Sequence, residues 1–124
     1  MKKLAAFAFA LVLSVSLTAV AQERKFLTKS EVESLATGKK WTYVRPDGNK
    51  IAWDLRSGGN IFGNNRTSGR NDAGTWSVND QGQICTKWRG SSGDGCFAIF
   101  KEGEKLKRVG AENLVGGGIE VEVE

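Results

Sequence analysis

The stretch QICTKWRGSSGDGCFAIFK, residues 83–101, contains two strand-like runs around a glycine-rich turn, and each run holds one cysteine. Turn residues between two such runs predict an antiparallel hairpin. A turn centred on Gly90 and Ser91 places Cys85 opposite Cys96, so we expect a disulfide. Closing a loop of this length stabilises a small domain by about 3 kcal/mol. A redox role is disfavoured because redox pairs lie closer in sequence, as in Cys-x-x-Cys.

Short alternating runs continue on both sides of this hairpin. Ile51, Trp53 and Leu55 alternate with other residues, which is the period of a strand with one buried face. The predicted strands span residues 40–45, 50–56, 60–64, 73–79, 83–89, 95–101, 104–109 and 118–123. Connections this short require antiparallel neighbours. We expect an all-β domain of seven or eight antiparallel strands, curled into a small barrel or sandwich so that its edges are protected.

One short helix is predicted ahead of the strands. Thr28 and Glu31 form the Thr-x-x-Glu capping box, and Gly38 supplies a left-handed stop about ten residues later. Val32 and Ala36 belong to an apolar stripe that is not stable alone and must pack on the strands.

The first 21 residues have the three parts of a secretory signal peptide. A basic start at Met1–Lys3 is followed by an uncharged apolar run from Leu4 to Leu17 and by small residues ending at Ala21. The apolar run is shorter than the roughly 20 residues that span a bilayer, so we expect cleavage and no transmembrane segment afterwards. Residues 22–124 then form a single β-rich domain, periplasmic or secreted, where disulfides persist.

Composition disfavours catalysis. The 124 residues include no His, which removes the commonest general base and metal ligand, and both Cys are assigned to the disulfide. Paired carboxylates remain the open catalytic possibility. We expect a non-enzymatic protein without a cofactor or metal. Nucleic acid is disfavoured too, because half of the formal net charge of +4 comes from Lys2 and Lys3 in the signal segment.

Two groups of residues are candidates for binding. The run 64–72 has no apolar residue and is expected to form a long polar loop, whose Arg66 and Arg70 suit carboxylates or phosphates, although a disordered connection has the same composition. The second group is Lys87 and Arg89 beside Trp88, which lies nearest the hairpin tip and is expected to be the most exposed tryptophan.

These features leave two functions open. The first is an interaction domain that binds an envelope protein, an anionic envelope polymer or an enzyme that it inhibits. The alternative is a lipocalin-like carrier with a small ligand inside the barrel, since about eight strands enclose either packed side chains or one small ligand. Four Trp and the Phe residues of the domain favour a filled interior and therefore the interaction domain.

Several turn, core and disulfide residues together resemble a known family pattern. Gly74-Thr75-Trp76-Ser77-Val78, then Cys85-x-x-Trp88, then a glycine-rich tip and Cys96-Phe97 is similar to small exported proteobacterial proteins of unknown function, domain of unknown function 995. The resemblance implies a secreted β-rich domain and no activity. Gly38-Lys39-Lys40-Trp41 is also similar to the Gly-x-Trp start of lipocalins, but the extra residue breaks that motif and no ligand follows from it.

Overall fold

The computed structural model describes residues 24–90 and 92–124, so the predicted signal peptide lies outside the described residues. In this part of the chain there are one helix, α1 (Lys29–Ala36), and ten strands. The strands are β1 (Arg24–Phe26), β2 (Lys39–Val44), β3 (Lys50–Leu55), β4 (Asn60–Asn65), β5 (Asn71–Val78), β6 (Ile84–Trp88), β7 (Gly95–Glu102), β8 (Lys105–Gly110), β9 (Ile119–Glu120) and β10 (Glu122–Val123).

The strands form one antiparallel, nearly closed barrel. Strands β2 to β8 pair in chain order, as a meander of hairpins. The C-terminal segment then closes the sheet, because β9 pairs with β8 while β10 pairs with β2. The start of β7 pairs with β6 and its end pairs with β1. The predicted β fold with one short helix is confirmed; the strand count rises to ten because β1 is added and Val121 divides the last strand in two.

Helix α1 covers one end of the barrel. Its capping box is present: Glu31 N donates to Thr28 Oγ1 at 3.3 Å, and Thr28 N donates to Glu31 Oε1 at 3.1 Å. The Trp41 indole N–H donates to the Leu35 carbonyl at 2.8 Å and ties the helix to β2. Val32 on the same helix is fully buried, as the apolar stripe predicted.

The hydrophobic core fills the helix end of the barrel. Inward-facing residues of β2, β3, β4, β6 and β7 are fully or almost fully buried there, namely Trp41, Leu55, Ile61, Ile84 and Ile99. A smaller cluster of Ala98, Phe100 and Val109 lies on the other face of β7 and β8. Gly118 has a positive φ of 76°, and a Cβ atom at this position would come within 2.8 Å of the Phe100 ring, so the segment after β8 covers this cluster.

The disulfide joins Cys85 on β6 to Cys96 on β7, and these two residues are register partners, as predicted. The tip of this hairpin includes Ser91, which lies outside the described residues.

The run 64–72 is not the long loop that we predicted. Strand β4 extends to Asn65 and β5 begins at Asn71, so only residues 66–70 connect them. Asn65 Oδ1 accepts from the backbone N–H groups of Thr67 and Ser68, both at 3.0 Å, which fixes the turn. The prediction failed because these strand ends carry polar residues on both faces and lack the alternation that marks a strand.

Candidate functional site

A cavity of about 660 Å³ opens at the end of the barrel opposite helix α1. The antiparallel register decides which residues meet there: the end of β2, the start of β3, the ends of β4, β6 and β8, and the starts of β5 and β7. The barrel is therefore packed at the helix end and hollow at the other end. The aromatic content led us to expect a filled interior, and this holds for only one half of it.

Arg108 on β8 is the most unusual side chain in the cavity. It is only 8% exposed, and it is the one buried cationic residue in the described part of the chain. Its guanidinium carbon lies 3.9 Å from the ring centroid of Tyr43, 4.3 Å from that of Phe97 and 5.3 Å from that of Trp53. A cation over the faces of aromatic rings is attracted by their quadrupoles, more so when water is excluded.

No carboxylate pairs with Arg108 among residues 24–90 and 92–124, and its Nε and Nη1 atoms are buried without a hydrogen-bond partner. Burial lowers the pKa of the guanidinium, while the nearby Tyr43 opposes that shift. Tyr43 is contacted through its ring face, so it does not satisfy those two nitrogens. Arginine starts from so high a pKa that the group stays charged at neutral pH.

Thr86 on β6 is a second buried polar group in the same cavity. It is 2% exposed, and its hydroxyl has no hydrogen-bond partner in the structure. Buried polar atoms in native proteins are almost always paired. Within the described residues, every buried side-chain polar atom that lacks a partner belongs to Thr86 or Arg108 and so lies in this cavity.

Aromatic rings form much of the cavity wall. The Trp53 ring lies 6.1 Å from that of Trp88 and 6.0 Å from that of Phe97, and Tyr43 meets Trp53 edge-on at 5.4 Å. The Trp88 ring lies against Gly63, where a Cβ atom would come within 2.8 Å of it. Glycine at position 63 thus leaves room for the outer end of the indole against strand β4.

Polar residues form the mouth of the cavity. The Asp72 carboxylate accepts from the backbone N–H of Gly90 at 3.0 Å and of Ser92 at 3.4 Å, which fastens the connection between β6 and β7. Hydrogen bonding from the Ser92 side chain, with further bonds from backbone N–H groups, lowers the pKa of Asp72 against an opposing effect of burial. Across β4 and β5 the Asn64 side-chain amide donates to Asn71.

The binding residues predicted from sequence do not form one site. Arg70 lines the mouth of the cavity, whereas Arg66 lines a groove on the outside of β3 and β4. Lys87 and Arg89 are exposed, and Trp88 between them is half-buried and packs inward. The three were predicted to share a surface. They do not, because successive residues of a strand point to opposite faces.

The sequence did not identify four residues that line the cavity, namely Arg108, Tyr43, Thr86 and Phe97. The alternation in β8 could have identified Arg108, because residues two apart in a strand share a face and Leu106 on that face is half-buried. Val109 on the opposite face obscured that signal, because it is apolar as well.

Clusters of three or more His, Cys, Asp or Glu suited to a metal ion are not found in the part of the chain that the structure describes. The same part of the chain contains no helix that is long and apolar enough to cross a membrane.

Comparison with known protein families identifies the family of this chain. The profile of a family described as protein of unknown function (DUF995) matches residues 4–106, which is most of the chain. Neither the curated proteins nor the solved structures gave a match.

Proposed function

Because the chain belongs to the DUF995 family, whose function is unknown, we propose from its geometry that it is a non-enzymatic protein that binds a small ligand in the barrel cavity. The observation that supports this most is Arg108, a buried cation without a carboxylate partner in the wall of an open cavity. A cavity of about 660 Å³ is within the range of known ligand sites.

The cavity favours the carrier over the interaction domain that the sequence favoured. Burying an unpaired charge costs several kcal/mol, and the surrounding rings do no more than offset this cost, so a protein that needed only a stable scaffold would lose little by replacing Arg108 with an apolar residue. Buried and half-buried rings beside a few polar groups are also the usual lining of a small-molecule site. Export by the segment 1–21 is part of the proposal and would place the ligand in the periplasm or outside the cell.

An interaction surface is the second candidate. A second groove, on the outside of β3 and β4, includes Lys40, Phe62 and Arg66, and Phe62 is 43% exposed. Asp54 and Asp72 also line this groove and balance its two cations, so the exposed aromatic ring between charges of both signs suits a partner protein.

Binding of the neutral fluorescent probe N-phenyl-1-naphthylamine tests the carrier. We expect binding to the purified protein, with energy transfer from Trp53 and Trp88, and an affinity at least about fivefold weaker in Thr86→Met, whose longer side chain enters the cavity. Thr75→Met is the matched control, because Thr75 is exposed on the neighbouring strand. No binding, or equal weakening by both variants, would reject the cavity as a ligand site.

A further inference from the structure

We propose that the ligand is a flat organic molecule with one carboxylate, and that Arg108 is the residue that binds this carboxylate. The inference rests on the proposed function and adds the chemical class of the ligand. Its evidence is the position, charge and hydrogen bonding of Arg108 and the shape of the walls around it.

The positive charge of Arg108 indicates that the ligand carries a negative charge. Arg108 is more than nine-tenths buried, lines the cavity, and has no carboxylate of the described chain beside it. A ligand anion that approaches from the cavity neutralises this charge where water is scarce and screening is weak. A neutral ligand would leave the charge uncompensated, and a cation would be repelled.

The surroundings of the guanidinium favour a carboxylate over a doubly charged phosphate. Arg108 is the single buried cation within the described residues, whereas Arg45 and Arg70 lie at the mouth of the cavity. Arg45 is already paired with Asp47 at 3.0 Å. One guanidinium balances one negative charge, and its planar N–H groups match the two oxygens of a carboxylate. The free Thr86 hydroxyl offers a further donor in the same cavity.

The aromatic walls determine the shape of the ligand. Tyr43 and Phe97 hold the guanidinium by their ring faces, so the plane of the cation is fixed before a ligand arrives. Trp53 and Trp88 continue the aromatic lining towards β4. Rings of this kind stack on flat unsaturated molecules. We therefore expect the body of the ligand to be aromatic or conjugated.

Three probes of nearly equal shape test this inference by calorimetry on the purified protein. They are 2-naphthoate, its neutral amide 2-naphthamide, and the cation 2-naphthylmethylammonium. We expect the carboxylate to bind at least about tenfold more tightly than the amide, a difference of about 1.4 kcal/mol, and the cation to bind most weakly.

Variants then assign the preference to Arg108. In Arg108→Met the carboxylate and the amide should bind about equally, whereas Arg108→Lys should keep part of the preference because it keeps the charge. Arg66→Met is the control: its side chain lies in the outer groove, and we expect the full preference to remain. A merely structural role of Arg108 would weaken all three probes together.

The outcomes separate the two proposals. Equal binding of carboxylate and amide by the wild-type protein overturns the inference and leaves the binding cavity in place. Tighter carboxylate binding that persists in Arg108→Met overturns the role of Arg108. Binding of none of the probes overturns both proposals. The comparison of probes on the wild-type protein decides the charge preference even where a variant does not fold.

Discussion

Replacing Arg108 by methionine should leave the ligand-free protein about as stable as the wild type. A desolvated cation over an aromatic face contributes up to about 2 kcal/mol, and two rings lie within 4.3 Å of the guanidinium carbon, so the variant loses about 2–4 kcal/mol. It also removes a buried charge that has no carboxylate partner, a burden of several kcal/mol, and methionine restores apolar contacts. These two effects nearly cancel.

We therefore expect the free energy of unfolding of Arg108→Met to lie within about 1 kcal/mol of the wild-type value. For a domain of this size this corresponds to a change in melting temperature of no more than about 4–8 °C. Urea unfolding followed by tryptophan fluorescence measures it. Leu55→Ala, in the filled half of the barrel, is the sensitivity control and should lose about 2–5 kcal/mol. A loss of about 3 kcal/mol or more in Arg108→Met would refute the reasoning, because it would show that Arg108 is retained for stability.

Three further predictions concern the disulfide, the cavity wall and the mouth. The double variant Cys85→Ser with Cys96→Ser should lose about 3 kcal/mol on thermal unfolding, because an 11-residue separation is no longer closed; an unchanged melting temperature would contradict a structural role. Gly63→Ala should weaken 2-naphthoate binding with little loss of stability, since the end of the Trp88 ring must move into the cavity, whereas Gly117→Ala, with open space around it, should do neither. The pKa of Asp72 is lower in the folded than in the unfolded protein, so its ionised form stabilises the folded state above the unfolded pKa, and this stabilisation is lost as pH falls through the folded pKa. Below about pH 4 the melting temperature of the wild type should therefore drop more than that of Asp72→Asn. Parallel melting curves of the two proteins against pH would contradict this role of Asp72.

The fold was largely predictable because its signals are local. The capping box at Thr28 and Glu31, the alternation around Trp53 and the turn between the two cysteines each lie within a few residues of sequence. Short connections then allow only antiparallel neighbours, and a meander of that length protects its edges by closing. The two-part C-terminal strand was not predictable, because Val121 is flanked by strands that pair with different neighbours.

The site was not predictable because it depends on contacts between distant strands. Arg108 meets Tyr43 and Phe97, and nothing near Arg108 in the sequence identifies either ring as its neighbour. Exposed arginines in a polar run were easier to recognise, which drew attention to Arg66 and Arg70. Only Arg70 of these two reaches the cavity.

A crystal structure of the protein with 2-naphthoate tests the central claim most directly. We predict that the naphthalene ring lies among Trp53, Trp88 and Phe97, and that a carboxylate oxygen lies about 2.7–2.9 Å from a guanidinium nitrogen of Arg108. A carboxylate bound instead to Arg70 at the mouth, or a naphthoate found only in the outer groove beside Arg66, would contradict the claim.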